Sequence, residues 1–179
     1  MISISRSRKI FRDMQACFQE VDLPLMSKKE EKGTGVIADS LSLKSWCKTK
    51  SDLAQITASL FPGHEIVELS MSNRRSTPIP VWPALWDLFN LINRTQPYGY
   101  WVVCSETGIT EYLSAMIVTG KELDKAQFRQ LLERFLGYGT RLYALVEEQI
   151  NSKKRPIDVL NQFMQDNPDL PLVDRGESF

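Results

Sequence analysis

Apolar side chains near the N-terminus recur every three to four residues, with charged residues between them. This spacing predicts an amphipathic helix over about residues 5–22, which Pro24 ends. Residues 26–35 combine dense mixed charge with glycines, so we expect a mobile, exposed loop there. The pattern from 36 to 50 permits either a short strand or a loop.

Two short elements follow, with different periods. Leu53, Ile56 and Leu60 are spaced as on one side of a helix, so we predict a short helix over residues 52–61. The run 66–71 instead alternates between apolar and polar side chains, which predicts a half-buried strand.

The most apolar helix is expected near the centre of the sequence. Proline suits a first helical turn because its missing N–H would have no partner there, so Pro83 predicts a helix over residues 83–95. Six of eight consecutive positions are apolar and cover most of its circumference: Leu85, Trp86, Leu88, Phe89, Leu91 and Ile92. Such a helix requires cover on two sides. Either it is sandwiched in the core of one chain, or its outer face, with Trp82, Trp86 and Leu91, meets a second copy or a peptide, which we favour.

A hairpin and a long helix are predicted next. Aromatic and β-branched residues on both sides of a turn within 98–118 indicate two antiparallel strands. The long helix is expected to start at Asp124, with Gln127 at its third position, and Thr119 with Glu122 forms a second candidate start.

The C-terminal part of the chain contains two further signals. Gly137 and Gly139 lie inside the long helix, where glycine is unfavourable, so we expect close packing or a bend there. Pro156 is suited to open a last short helix. We therefore divide the chain into a single α+β domain, 1–155, and a C-terminal helix with a loosely held tail, 156–179.

Length and charge narrow the class of protein. A chain of 179 residues fits one domain, and its 22 Lys+Arg balance 22 Asp+Glu. A zero net charge disfavours a nucleic-acid partner, since such proteins carry a basic excess. Arg74 and Arg75 beside Trp82 form the one candidate platform for single-stranded nucleic acid, and we favour loop arginines beside a core tryptophan.

The sequence predicts a cytoplasmic protein without a membrane segment or bound cofactor. Charges interrupt any signal peptide, and no apolar run approaches the ~20 residues needed to cross a bilayer. Three widely separated cysteines without a CxxC pair indicate reduced thiols. His64 is the only histidine, so we expect no metal site and no catalytic residue. The enzymatic alternative is a nucleophilic pair of Cys47 or Cys104 with His64.

One stretch of the chain resembles a known group of proteins. The segment Asn90–Val103, Gly108 in the following turn, and Leu123–Leu132 are similar to YbjN-like and type III secretion chaperone-like proteins. The resemblance is strongest over residues 82–150. It implies an α+β fold, with a twisted antiparallel sheet flanked by helices in the order α-β-β-β-α-β-β-α. It also implies dimerisation through the middle helix and binding of an extended client segment without catalysis.

We therefore expect a non-enzymatic module that binds a protein or peptide client and acts as a homodimer, with a chaperone-like or regulatory role in the cytoplasm. The resemblance assigns the middle helix to the dimer or to the core. Its candidate interface residues are Trp82, Leu85, Trp86, Phe89, Leu91 and Ile92.

Overall fold

The computed structural model describes residues 4–31, 40–49, 53–96, 98–119 and 122–170. The helices are α1 (Ile4–Glu20), α2 (Trp82–Thr95), α3 (Lys125–Asn151) and α4 (Pro156–Asp166), and a 3-10 turn at Ile79–Val81 precedes α2. The strands are β1 (Ser27–Glu31), β2 (Ser40–Lys48), β3 (Leu53–Phe61), β4 (Ile66–Ser76), β5 (Tyr100–Val103) and β6 (Ile109–Ile117). The fold is α+β, as predicted.

All six strands form one antiparallel sheet in the order β1-β2-β3-β4-β6-β5. Helix α1 contacts β3 and α3, and α3 contacts β4 and β6, so these two helices cover the same face. We call this the core face and the opposite one the open face. Helix α2 packs on the edge strand β5, and α4 packs against α2 and α3.

The predicted helix at 52–61 is wrong, because these residues form β3. Its side chains alternate strictly: the even-numbered residues Ala54, Ile56, Ala58 and Leu60 are buried on the core face. Three apolar residues do have helical spacing, but the full segment has the period of a strand. Pairing with β2 on one side and β4 on the other satisfies the backbone, and the period of two buries the apolar set.

The exposed loop predicted for 26–35 is also wrong where the structure describes it. Residues Ser27–Glu31 form the edge strand β1, paired with β2 from Ser27↔Lys44 to Glu31↔Ser40. Charged residues are common on edge strands, where they oppose aggregation, so a charge-rich sequence did not exclude a strand. Residues 32–35 lie outside the described part of the chain. The strand option for 36–50 is confirmed by β2.

The long helix starts where its capping signal predicted. The carboxylate of Asp124 accepts a hydrogen bond from the backbone N–H of Gln127 at 3.0 Å, so this start prevails over Thr119. Gly139 also has the predicted packing reason. A Cβ there would lie 2.9 Å from side-chain atoms of both Met71 and Tyr112, whereas Gly137 faces open space.

Aromatic rings fill the core face between α2, the hairpin and α3. Trp101 stacks on Phe89 and on Tyr112, and Tyr112 stacks on Phe135, with ring centroids 4.8 to 5.8 Å apart. The Trp101 indole N–H and the Tyr112 hydroxyl are buried and have no hydrogen-bond partner among the described residues, and burial raises the pKa of Tyr112. Leaving such groups unpaired costs roughly 1–3 kcal/mol each, so apolar and ring packing must outweigh that cost here.

The C-terminal elements extend this core. In α4, which begins at Pro156 as predicted, Val159 and Leu160 are buried, whereas Ile157 is exposed. Beyond the helix, Leu170 is buried, and Asp169 accepts a hydrogen bond from Arg141 of α3 at 2.8 Å. Residues 171–179 lie outside the described part of the chain, and the division at residue 155 stays a prediction.

Candidate functional site

Helix α2 has an inner side that belongs to the protein's own core. Leu85, Leu88, Phe89 and Ile92 are buried against β5, α3 and α4. Three of the interface candidates, Leu85, Phe89 and Ile92, therefore lie in the core of the single chain, which is one of the two roles that the resemblance allows for this helix. The physical reason is that α3 and α4 pack on this helix in addition to β5, and the sequence pattern alone does not show that packing.

The outward side of α2 begins in the preceding 3-10 turn. The Trp86 side chain is 50% exposed and that of Ile79 is 71% exposed. Trp82 and Leu91, the other predicted interface residues, are half-buried. We call the exposed apolar group the Trp86 surface; it consists of Ile79, Pro80, Trp82, Pro83 and Trp86.

Ile79 was not among the residues proposed from sequence, although the sequence contains a signal for it. It lies between Pro78 and Pro80, and two prolines so close together exclude regular pairing of this segment in a sheet. An isolated apolar residue in such a segment has few ways to be buried. The prolines thus mark an apolar side chain that the fold leaves at the surface.

The Trp86 surface is held in place by Thr77, just after β4, and by the turn between β5 and β6. The indole N–H of Trp82 donates to the carbonyl oxygen of Thr77 at 2.9 Å, and the Trp82 ring meets that of Trp86 edge to face, with centroids 6.1 Å apart. Gly108, with φ +69°, permits close approach: a Cβ there would lie 3.2 Å from the Trp82 ring. Anchored rings lose little conformational freedom on binding, which favours affinity.

A side chain of α2 occupies backbone hydrogen-bonding groups at the free edge of β5. The amide of Asn93 accepts a hydrogen bond from the backbone N–H of Trp101 at 2.7 Å and donates to the Trp101 carbonyl at 3.0 Å. This pair of bonds imitates a neighbouring strand at the outer side of β5. Binding of an added strand would have to displace Asn93, so β5 is a poor site for such binding.

A cleft of about 460 Å³ lies between α3, α4 and the end of β2. Its apolar lining includes Leu145, Val159 and Phe163. Two of the three cations that line the cleft have partners in the chain: Arg141 pairs with Asp169, and Lys154 with Glu148. The third, Lys48, forms no ion pair with the described residues. The volume would suit a small ligand, but one unpaired cation gives little specificity for recognising it.

The cysteines are not brought to His64. His64 lies in the turn between β3 and β4, whereas Cys104 follows β5 near the far end of β4, roughly 30 Å away at ~3.3 Å per strand residue. Cys47 pairs with Ala54 at the opposite end of β3 from His64, about 23 Å away on the same basis. The structure therefore assembles neither predicted Cys–His pair.

The three thiols differ in their surroundings. Burial raises the pKa of Cys47 to about 11, and burial also raises the pKa of Cys17. A hydrogen bond from the Thr107 side chain, with further ones from the backbone of Thr107 and Glu106, lowers the pKa of Cys104. The thiol of Cys104 is therefore more readily ionised than the other two, and rapid alkylation of it would not by itself indicate catalysis.

The two arginines of the predicted nucleic-acid platform lie in an irregular end of β4. The pairing with β6 shifts register between Ser72 and Ser76, and Arg74 has φ +59°. Both arginines are exposed, but the Trp82 ring is half-buried and packed against Trp86. It offers no free face comparable to the stacking platforms of single-strand binders.

Two further properties of the described ranges concern metal ions and membranes. Histidine, cysteine and carboxylate side chains there never gather in groups of three that could hold a metal ion. Within the same residues, no helix has the length and apolar character needed to cross a membrane. Comparisons with protein-family models, curated proteins and solved structures give no match to this chain.

Proposed function

We propose that this protein is a non-enzymatic, cytoplasmic module that binds another protein or a peptide through the Trp86 surface and acts as a homodimer. The observation that carries the proposal is the exposure of Trp86 and Ile79 on a segment held rigid by prolines and by the Trp82 hydrogen bond. Large aromatic anchors that are fixed before binding dominate many protein interfaces.

The resemblance to YbjN-like and type III secretion chaperone-like proteins supports the same role. The observed order, α-β-β-β-β-α-β-β-α-α, contains the order expected from that resemblance with one additional strand and one additional helix. We propose that the chain shares that architecture and the chaperone-like or regulatory binding that goes with it. A client would be an extended or helical segment with apolar side chains.

Substitutions that place a charge on the Trp86 surface test the proposal. Trp86→Glu and Ile79→Glu should each abolish capture of partners that the wild-type protein retains from its native cytosol, because an unpaired carboxylate cannot be buried in an apolar interface. Captured proteins are quantified by mass spectrometry, and unfolding in urea checks that each variant folds. Gln130→Glu, which adds the same charge to the exposed side of α3, should leave capture unchanged.

The result that would overturn binding through this surface is an unchanged set of captured proteins for both Trp86→Glu and Ile79→Glu. Self-association is measured separately by light scattering of the wild-type protein. A wild-type monomer at all accessible concentrations would remove the homodimer from the proposal and leave client binding standing.

A further inference from the structure

The open face carries more apolar surface than a solvated sheet face requires. No helix in the described part of the chain covers it. Leu53 is 55% exposed, Ile117 67% and Tyr100 46%. The strand pairing places five more apolar side chains on this face, and all of them are half-buried: Trp46, Phe61, Ile66, Val102 and Leu113. Solvated faces of antiparallel sheets are usually polar at these positions, so this face has the composition of a contact surface.

The charged groups of the open face lack partners in the described part of the chain. Lys44 and Lys48 lie on β2, Glu68 on β4 and Glu111 on β6, and none of the four is in an ion pair. Strands spaced at about 4.8 Å put the lysine strand roughly 10–15 Å from the glutamate strands. Strand β3, with hydroxyl side chains, lies between them.

The two glutamates are in an unfavourable position for a carboxylate. Burial raises the pKa of both, and the charge of Glu111 raises that of Glu68 further. A cation brought against them would relieve this cost. The unpaired lysines of β2 are cations of the right kind, but within one chain they are too far away to serve.

A second copy of the chain can bring lysines close to these glutamates. If two open faces stack with a two-fold axis parallel to the strands, near β3 or between β3 and β4, β2 of one copy lies over β4 or β6 of the other. Lysines then face glutamates on both sides of the axis. An axis perpendicular to the strands would place β2 over β2 and set lysines against lysines, so the charges select one arrangement.

We infer that two copies of this chain associate open face to open face, with Lys44 and Lys48 of each copy paired with Glu68 and Glu111 of the other. The inference rests on the homodimer of the proposed function and assigns it a surface. Sheets packed about 10 Å apart would remove Leu53, Tyr100 and Ile117 from water as well. The Trp86 surface remains free for a client.

The available area is sufficient for such a dimer. The six strands contain 47 residues, and about 4.8 by 3.3 Å for each residue gives the area of the whole sheet face. This is about 700 Å² on each copy, close to the ~800 Å² per partner of a standard specific interface. Interfaces much smaller than this are typical of weak, transient complexes, whereas this face is large enough for a specific dimer.

Complementary charge reversal tests the inference. One variant carries Lys44→Glu and Lys48→Glu, and the other carries Glu68→Lys and Glu111→Lys. Each alone should raise the dimer dissociation constant by about tenfold or more, because like charges would face each other. Mixed in equal amounts, the two variants should form a heterodimer. Sedimentation velocity measures the masses, and Glu106→Lys, in the exposed β5–β6 turn, should dimerise as the wild type does.

Folding and the position of the interface are controlled separately. Ile117→Asp changes a strongly exposed side chain, so it should fold normally and still weaken the dimer. Trp86→Glu should leave the dimer intact. The inference fails if the charge-reversed variants fold but dimerise as strongly as the wild type, or if their mixture stays monomeric. A dimer lost only in Trp86→Glu would also overturn it while keeping the proposed function, and a wild-type monomer would remove the homodimer from both.

Discussion

The two faces of the sheet are built from the same alternating strands, yet in the described part of the chain helices cover only one of them. On the core face, Trp101 and Tyr112 stack with rings from α2 and α3. Their sequence neighbours Tyr100 and Glu111 point to the open face, where no described helix covers them. Alternation along the strands does not by itself show which of these neighbouring residues is buried. The helices decide which face becomes the core, and the other face keeps apolar and charged groups available for contacts.

The largest effect should come from neighbouring residues on opposite faces. Trp101→Ala removes a buried ring in contact with three aromatic neighbours, so we expect a loss of about 3–5 kcal/mol in the free energy of unfolding. Tyr100→Ala should cost less than about 1 kcal/mol, as for other strand positions where packing is slight. Urea unfolding at a concentration that keeps the protein monomeric measures both. Equal losses would show that the open face is packed within the monomer.

A second pair of substitutions tests how tightly α3 packs on the core face. Gly139→Ala places a methyl group 2.9 Å from Met71 and Tyr112, so despite the helix propensity of alanine it should destabilise the protein by roughly 1–3 kcal/mol. Gly137→Ala, two residues away and facing open space, should instead stabilise it by up to about 1 kcal/mol. The two free energies of unfolding should therefore change in opposite directions. A stabilising Gly139→Ala would show that Met71 and Tyr112 yield easily to the added methyl.

These contrasts also explain what could be predicted from the sequence. Helices α1, α2 and α3 and the hairpin were predicted because their periods extend over many residues and their ends carry capping, proline or turn signals. Strand β3 was not, because three apolar residues matched a helical spacing over only nine positions. Pairing with strands on both sides decided its conformation, and long-range pairing of that kind leaves little trace in local sequence.

The candidate site was predicted in part for a similar reason. The excess of apolar residues on α2 correctly indicated a helix with more than one apolar side, and Trp86 is exposed as expected. Which of its residues reach the surface depends on α4, whose packing against α2 the sequence does not encode locally. The open face was missed altogether. Glu68 and Ser70 were read as the solvated side of a strand, and their register with Lys44 and Glu111 appears only when the whole sheet is assembled.

The smallest expected effect concerns the charge of the open face in the monomer. Burial, and then the charge of Glu111, raises the pKa of Glu68, so its ionised form opposes folding. Glu68→Gln should therefore increase the stability of the monomer at neutral pH by less than about 1 kcal/mol, within the range of substitutions away from the core.

The pH dependence of that gain identifies its cause. Because the folded-state pKa is raised, the native protein takes up the proton before the unfolded chain does as the pH falls, and the penalty is present in full only above the raised pKa. The gain from Glu68→Gln should shrink as the pH falls through that value and vanish below about 4.3, the pKa of an unperturbed glutamate. Urea unfolding across this range measures it, with Glu106→Gln in the exposed turn as the control. A gain independent of pH would show that side-chain polarity, rather than ionisation on an unpartnered sheet face, determines the effect.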